Sequence, residues 1–280
     1  MTRALGWRKP DGARIARLQF AGVKAAQVFD QVLPADSADA SALVKILNQG
    51  SLGSCTTNAI GQMIRAEMVR TGAPEGTEFP SRLWQYSLAL ADDRNFGRDV
   101  GTHLCTVIDI DASYGFPPES AWPYDISQFG NRPPVKAWHD AFDQRAAMPE
   151  NGGEALVVYH QINDEGCDRI DTIRRAITAG RLVAFGTPVT EAFCSSSPGP
   201  NDIVVKPNGS EPIAGGHAMC WCGYQRDEVT GRWKFRTVNS WGEEWGDGGF
   251  FWMDQDYVAW DETSDIWTVS KVARYSGGNT

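Results

Sequence analysis

An α+β fold with two lobes is predicted for this chain from three observations. Its 280 residues suffice for a large core divided between two lobes. Apolar residues in the first half recur at helical spacing, whereas the second half carries short strand-like apolar runs separated by turn residues. The change of character falls near residue 150, at the Asn-Gly-Gly of positions 151–153. Apolar residues make up 42% and charged residues 22%, an ordinary globular composition.

Residues 1–47 read as an N-terminal arm, with a strand or short helix over 25–33 and a loop over 34–42. From Thr56 the pattern is helical, with Ile60, Met63, Ile64 and Met68 on one face and Thr71-Gly72 as the stop. A second helix is predicted over 81–92 and a third over 103–115, ended by Gly115. A proline-punctuated loop follows over 116–125, and a short helix over 134–147. In the second half a strand is predicted over 155–162, then a helix over 168–180 ended by Gly180. Further strands are predicted over 181–189, 216–225, 231–241 and 249–258. Between two of them, 195–216 is a long glycine- and proline-rich loop, a length that is often functional. There is no internal repeat. The predicted organisation is an arm at 1–47, a helical lobe at 48–150 and a β-rich lobe at 151–280.

The formal charge is -9, from 26 basic and 35 acidic residues, and no basic stripe with interleaved aromatics is present. No nucleic-acid partner is expected. No apolar run reaches membrane-spanning length, so no membrane partner is expected either. The opening residues lack the apolar core of a secretory signal. The sequence as it stands points to the cytoplasm, with non-classical secretion or a removed signal left open. Six cysteines are present, Cys55, Cys105, Cys167, Cys194, Cys220 and Cys222. At this size none is needed as a disulfide. Cys220 and Cys222 have no matching second pair for zinc and read as buried thiols on a strand. Neither metal nor cofactor is expected.

The segment Asn48–Ala59 places Gly50, Gly53 and Ser54 just before Cys55, at the start of the first helix. A helix N-terminus offers unpaired N–H groups and the positive end of the dipole, both of which favour a thiolate. Alone, that arrangement also fits a buried cysteine after a turn. Three segments together are more specific. Gln49–Cys55 (QGSLGSC) resembles the nucleophile region of papain-like cysteine peptidases. Gly215–Tyr224 (GGHAMCWCGY) resembles their histidine strand, and Asn239–Met253 (NSWGEEWGDGGFFWM) their asparagine segment. The order Cys, His, Asn matches as well.

The resemblance implies a papain-like two-lobed fold with a helical left lobe and a β-barrel-like right lobe, the active site lying in the cleft between them. It implies a cysteine-type peptidase acting on an extended peptide or protein through a thioester. Cys55 resembles the nucleophile, His217 the base, and Asn239 the residue orienting the imidazole. Gln49 resembles the amide donor of the oxyanion hole, and Trp241 the indole covering the Asn–His bond. Gly53, Ser54 and Gly216 support these groups. The chemistry asks for the same types: a thiolate needs fixed donors for the oxyanion it creates, and the leaving amine needs a proton. Plain structural alternatives stand beside each: Gln49 as a turn cap, Trp241 as core, Asn239 as a turn-former. His103, His139 and His160 are given no role. Gly101 and Thr102 align with backbone that pairs with substrate, and Glu119 and Tyr124 are expected to be structural.

Several positions depart from the family. Leu52 stands where secreted relatives carry a cysteine, and Thr56 where an aromatic is usual. Cys55 and His217 lie 162 residues apart, beyond the usual spacing of about 130–150. Only 54 residues precede Cys55, and residues 1–30 are expected to lie over or beside the cleft. The same acyl-enzyme would serve a transpeptidase or ligase, or a specialised amidase. An inactive papain-like binding scaffold is the alternative from another class.

Overall fold

A computed structural model describes residues 3–17, 28–146 and 157–272. Residues 25–27 of the strand or short helix predicted at 25–33 fall outside them, and the described remainder, 28–33, is mostly turn and irregular backbone with no strand. After a short helix α1 (Gly12–Arg17), the helical lobe is built on α2 (Cys55–Arg70), α3 (Arg82–Asp92), α4 (Leu104–Tyr114) and α5 (Val135–Ala146). Helix α2 is buried from Cys55 through Glu67, so it is a central helix with packed neighbours on every side. Its one buried guanidinium, Arg65, survives there by donating to the carbonyls of Thr77 and Leu43 at 3.0 and 3.1 Å and to that of Glu75. Ser81 caps α3 by accepting from Trp84 N–H. Gly115 ends α4 with φ 73°.

The second lobe is a mixed sheet. Strands β1 (Ser37–Asp39), β2 (Val157–Gln161), β3 (Val183–Thr190), β4 (Ile203–Val204), β5 (Ile213–Arg226), β6 (Trp233–Val238), β7 (Phe250–Asp254) and β8 (Ser264–Val272) form it. Among the described residues the pairings run along an open path, β2-β8-β3-β5-β6-β7-β4, with β1 joining β5. The finding is therefore a two-lobed α+β fold with a mixed sheet. Helices α6 (Gly166–Thr178), α7 (Glu191–Ser195) and α8 (Gln255–Val258) accompany it. The long loop before β5 contains β4, which pairs in parallel with β7. Strand β8 went unpredicted, because its Ser, Asp, Thr and Lys break the apolar run.

The two lobes meet along α2 and β5. Cys220 lies against α2, its thiol donating to the Ala59 carbonyl at 3.2 Å. Both Cys220 and Cys222 are buried and free. At the far side of the junction, Tyr159 of β2 donates to buried Asp111 of α4 at 3.0 Å, and Gln85 donates to the same carboxylate. Among the described residues, no helix is long and apolar enough to cross a membrane.

Candidate active site

The loop before α2 is fastened to the sheet lobe through backbone. Gln49 N–H donates to the Ser240 carbonyl at 2.8 Å, and Gly242 N–H donates to that of Leu47 at 3.0 Å. This pairing sets Gln49 and Cys55 beside β5 and the turn after β6. The Gln49 side chain is fully buried. Its Oε1 accepts from Ser240 Oγ at 2.6 Å, which turns Nε2 toward the carbonyls of Leu52 (2.9 Å) and Ala4 (3.2 Å). Tyr124 donates to the Gln49 carbonyl at 3.0 Å and also bonds Ser54. Glu119 pairs with Arg82, beneath the same loop.

His217 projects from β5, and Asn239 stands just past the end of β6. Asn239 Oδ1 accepts from the Ser240 backbone N–H at 2.8 Å and lies 2.8 Å from His217 Nε2. Because that oxygen faces one backbone donor already, the imidazole nitrogen against it carries the hydrogen, and Nδ1 is bare. Nδ1 is buried with no hydrogen-bond partner among the described residues. The Trp241 ring stacks on the imidazole with centroids 4.7 Å apart. Behind it pack Phe193, Trp245 and Phe251.

Cys55 begins α2 and is fully buried. Burial pushes its thiol up to about 11, although the backbone N–H groups of Ala218, Gly6, Thr56 and Trp7 pull the other way. Burial likewise pushes His217 down to about 4, against the support of Asn239. The expectation of a helix-stabilised thiolate is therefore reversed in this state: loss of water outweighs the helix terminus.

The segment Arg3–Lys9 runs against these groups, with Gly6 and Trp7 at the thiol. Besides the Ala4 carbonyl on Gln49, Trp7 N–H donates to the Gly216 carbonyl at 3.1 Å. Thr102 N–H donates to the Gly6 carbonyl at 2.8 Å and Arg8 N–H to that of Thr102 at 2.9 Å, a parallel bridge. The approach is close enough that a Cβ on Gly6 would sit 1.7 Å from the Gly53 carbonyl oxygen. Gly101 has φ +72°, and a Cβ there would meet the Gly6 oxygen at 2.0 Å. His103 Nδ1 lies 2.6 Å from the Arg8 carbonyl oxygen. Arg14 pairs with Asp93 at 2.6 Å, and Lys9 with Glu262 at 2.9 Å.

Sequence reasoning missed Trp7, Asp99 and Asp265. Asp99 accepts from Gly53 N–H at 3.0 and 3.1 Å and from Tyr86 O–H at 2.5 Å, while Tyr86 accepts from Gly101 N–H. One carboxylate thus ties the turn before Cys55 to the edge at Gly101-Thr102. It does so beside Leu52, where the expected cysteine is missing. No local pattern marks Asp99, since its partners lie 13 and 46 positions away.

A family model described as papain family cysteine protease matches residues 34–268. An uncharacterised peptidase C1-like protein of Acanthamoeba polyphaga mimivirus is 34% identical over 228 residues, covering 81% of this chain and 70% of that protein. Among solved structures, xylellain, a cysteine protease from Xylella fastidiosa, is similar at 24% identity and TM-score 0.75, with 98% of each chain covered. The bromelain protease from Ananas comosus is similar at 16% identity and TM-score 0.61, covering 84% of this chain and 99% of its own.

Proposed function

The chain belongs to the papain family of cysteine proteases and is a cysteine-type peptidase acting on peptides or proteins, and from that premise we propose the roles of its residues. Cys55 is the nucleophile. His217 takes the thiol proton on its bare Nδ1 and returns it to the leaving amine. Asn239 holds Nε2–H and so selects that tautomer. The oxyanion forms between Gln49 Nε2 and the Cys55 N–H. Trp241 keeps water from the Asn–His bond. A thioester results, and water activated by His217 hydrolyses it. Gly53, Ser54 and Gly216 shape the two sides of the cleft. Residues 48–150 supply the nucleophile wall, and 151–280 the curved, barrel-like wall, with the arm 1–47 touching both.

Within the arm, Arg3–Lys9 is a cover. The observation carrying this is the Ala4 carbonyl on Gln49 Nε2, the donor assigned to the oxyanion, together with Gly6 and Trp7 N–H groups at the thiol. Intact mass after an epoxysuccinyl thiol reagent tests both assignments. One adduct is expected on a chain lacking residues 1–30, forming faster than on the full chain and absent from Cys55→Ala. Equal rates with and without the arm would remove the cover. An adduct persisting in Cys55→Ala would remove the nucleophile. Product masses with an added amine separate hydrolysis from transfer to an acceptor.

A further inference from the structure

We infer that the slot filled by Trp7 selects a tryptophan-like side chain in the peptide substrate, with Asp265 as the specificity-determining residue. The inference rests on the cover and cleft assigned above, and deepens them. Trp7 is 5% exposed although it belongs to a segment lying on the surface of both lobes. Its indole lies against Gly186 of β3, where a Cβ would come within 2.0 Å of the ring. It also lies against Gly216 of β5, where a Cβ would come within 2.7 Å. Two side-chain-free positions on neighbouring strands make a flat space that any larger residue would close.

At the base stands Asp265, buried on β8. Its carboxylate accepts from Trp267 Nε1 at 2.7 Å, from Leu104 N–H at 2.8 Å and from Cys105 N–H at 3.2 Å. Trp7 Nε1 is a further donor at 3.3 Å, and the Cys105 thiol also faces this carboxylate. Asp265 is also held at φ 54°, a left-handed conformation that few residues other than glycine, asparagine and aspartate accept readily. When the arm leaves, a buried carboxylate loses a donor and an aromatic-shaped space empties. An indole refills both. A phenyl ring fills the space and leaves the oxygen facing hydrocarbon. An arginine or lysine would have to shed its water beside a carboxylate already holding three N–H donors, so the neutral donor is the better match.

The test uses the full chain carrying Trp7→Ala, which empties the slot, and a peptide library whose cleavage sites are read by mass spectrometry. Tryptophan is expected at one position near the cut, about ten-fold over phenylalanine, the low end for a hydrogen bond to a charged group. Adding Asp265→Asn, which tolerates the same backbone but replaces the carboxylate by the weaker acceptor of a neutral amide, should shrink that ratio. Equal cleavage after phenylalanine or leucine, preference for a basic residue, or a ratio unchanged by Asp265→Asn would overturn the inference. Should no variant cleave anything, the backbone of Arg3–Lys9 still covers the cleft, and the slot is judged separately. N-acetyltryptophanamide should then protect Cys55 of the Trp7→Ala chain from alkylation about ten-fold better than N-acetylphenylalaninamide, and equal protection would overturn it.

Discussion

On the helical wall of the cleft, Cys55 is surrounded mainly by backbone, and the loop carrying it is held by Asp99, Tyr86 and Tyr124. On the sheet wall, His217 is held by side chains: Asn239 in its plane and Trp241 on its face. The sheet wall therefore comes ready-made from two neighbouring strands, 22 positions apart in sequence. The helical wall is assembled from loops whose anchors are 13 to 75 positions apart. The difference predicts that the sheet wall fails by losing chemistry, whereas the helical wall fails by losing position.

Four substitutions sharpen this contrast, in falling order of effect. His217→Ala should lower kcat by up to about 10⁴-fold with little effect on melting temperature, since it removes the proposed proton carrier. Gln49→Ala should lower kcat by roughly 10²–10³-fold, the cost of one oxyanion donor, and should also loosen the Ala4 contact, so that Cys55 alkylates faster. Asp99→Ala should cost about ten-fold in kcat/KM by releasing Gly53 and Tyr86 together. Asp99→Asn, which keeps an acceptor for Gly53, should recover part of it. If alanine and asparagine behave alike, Asp99 does not position the loop.

The smallest effect concerns the junction rather than the cleft. Burial pushes Asp111 up to about 7, against the donors Gln85 and Tyr159. The sign follows from linkage: a carboxyl raised above its unfolded value of 3.8 stabilises the fold fully below that value. The contribution is lost as pH rises through 7. Asp111→Asn should melt at or slightly below the parent temperature at pH 5 and above it at pH 8. An unchanged difference between the two pH values would show that Asp111 is ionised in the folded protein throughout. His217 is depressed to about 4, so its neutral burial costs stability as pH falls from 6.5 toward 4. That slope is common to both proteins and cancels in the comparison.

How much could be read beforehand divides along the same line. The helix after Cys55, its stop at Gly72, the helices ended by Gly115 and Gly180 and the strands around His217 follow from local pattern, because spacing and turn residues act within a few positions. The segments bearing Gln49, Cys55, His217 and Asn239 stood out through their resemblance to a family's motifs, each a contiguous stretch of sequence. Asp99 and Asp265 did not, since the groups they hold lie far off in sequence: Gly53 and Tyr86 are 46 and 13 positions from Asp99, and Leu104 is 161 from Asp265. Trp7 sits in a mixed basic stretch that reads as an arm, and its slot is made by Gly186 and Gly216.

The sequence by itself determined which reactive groups exist, their order, and that a helix begins at the cysteine. Only the tertiary structure decided how deeply they are buried. A helix terminus lowers a thiol wherever it occurs, but desolvation depends on what packs over it. Here Gly6 and Trp7, from a segment 46 or more positions away, lie at the thiol, and burial raises Cys55 to about 11 and lowers His217 to about 4.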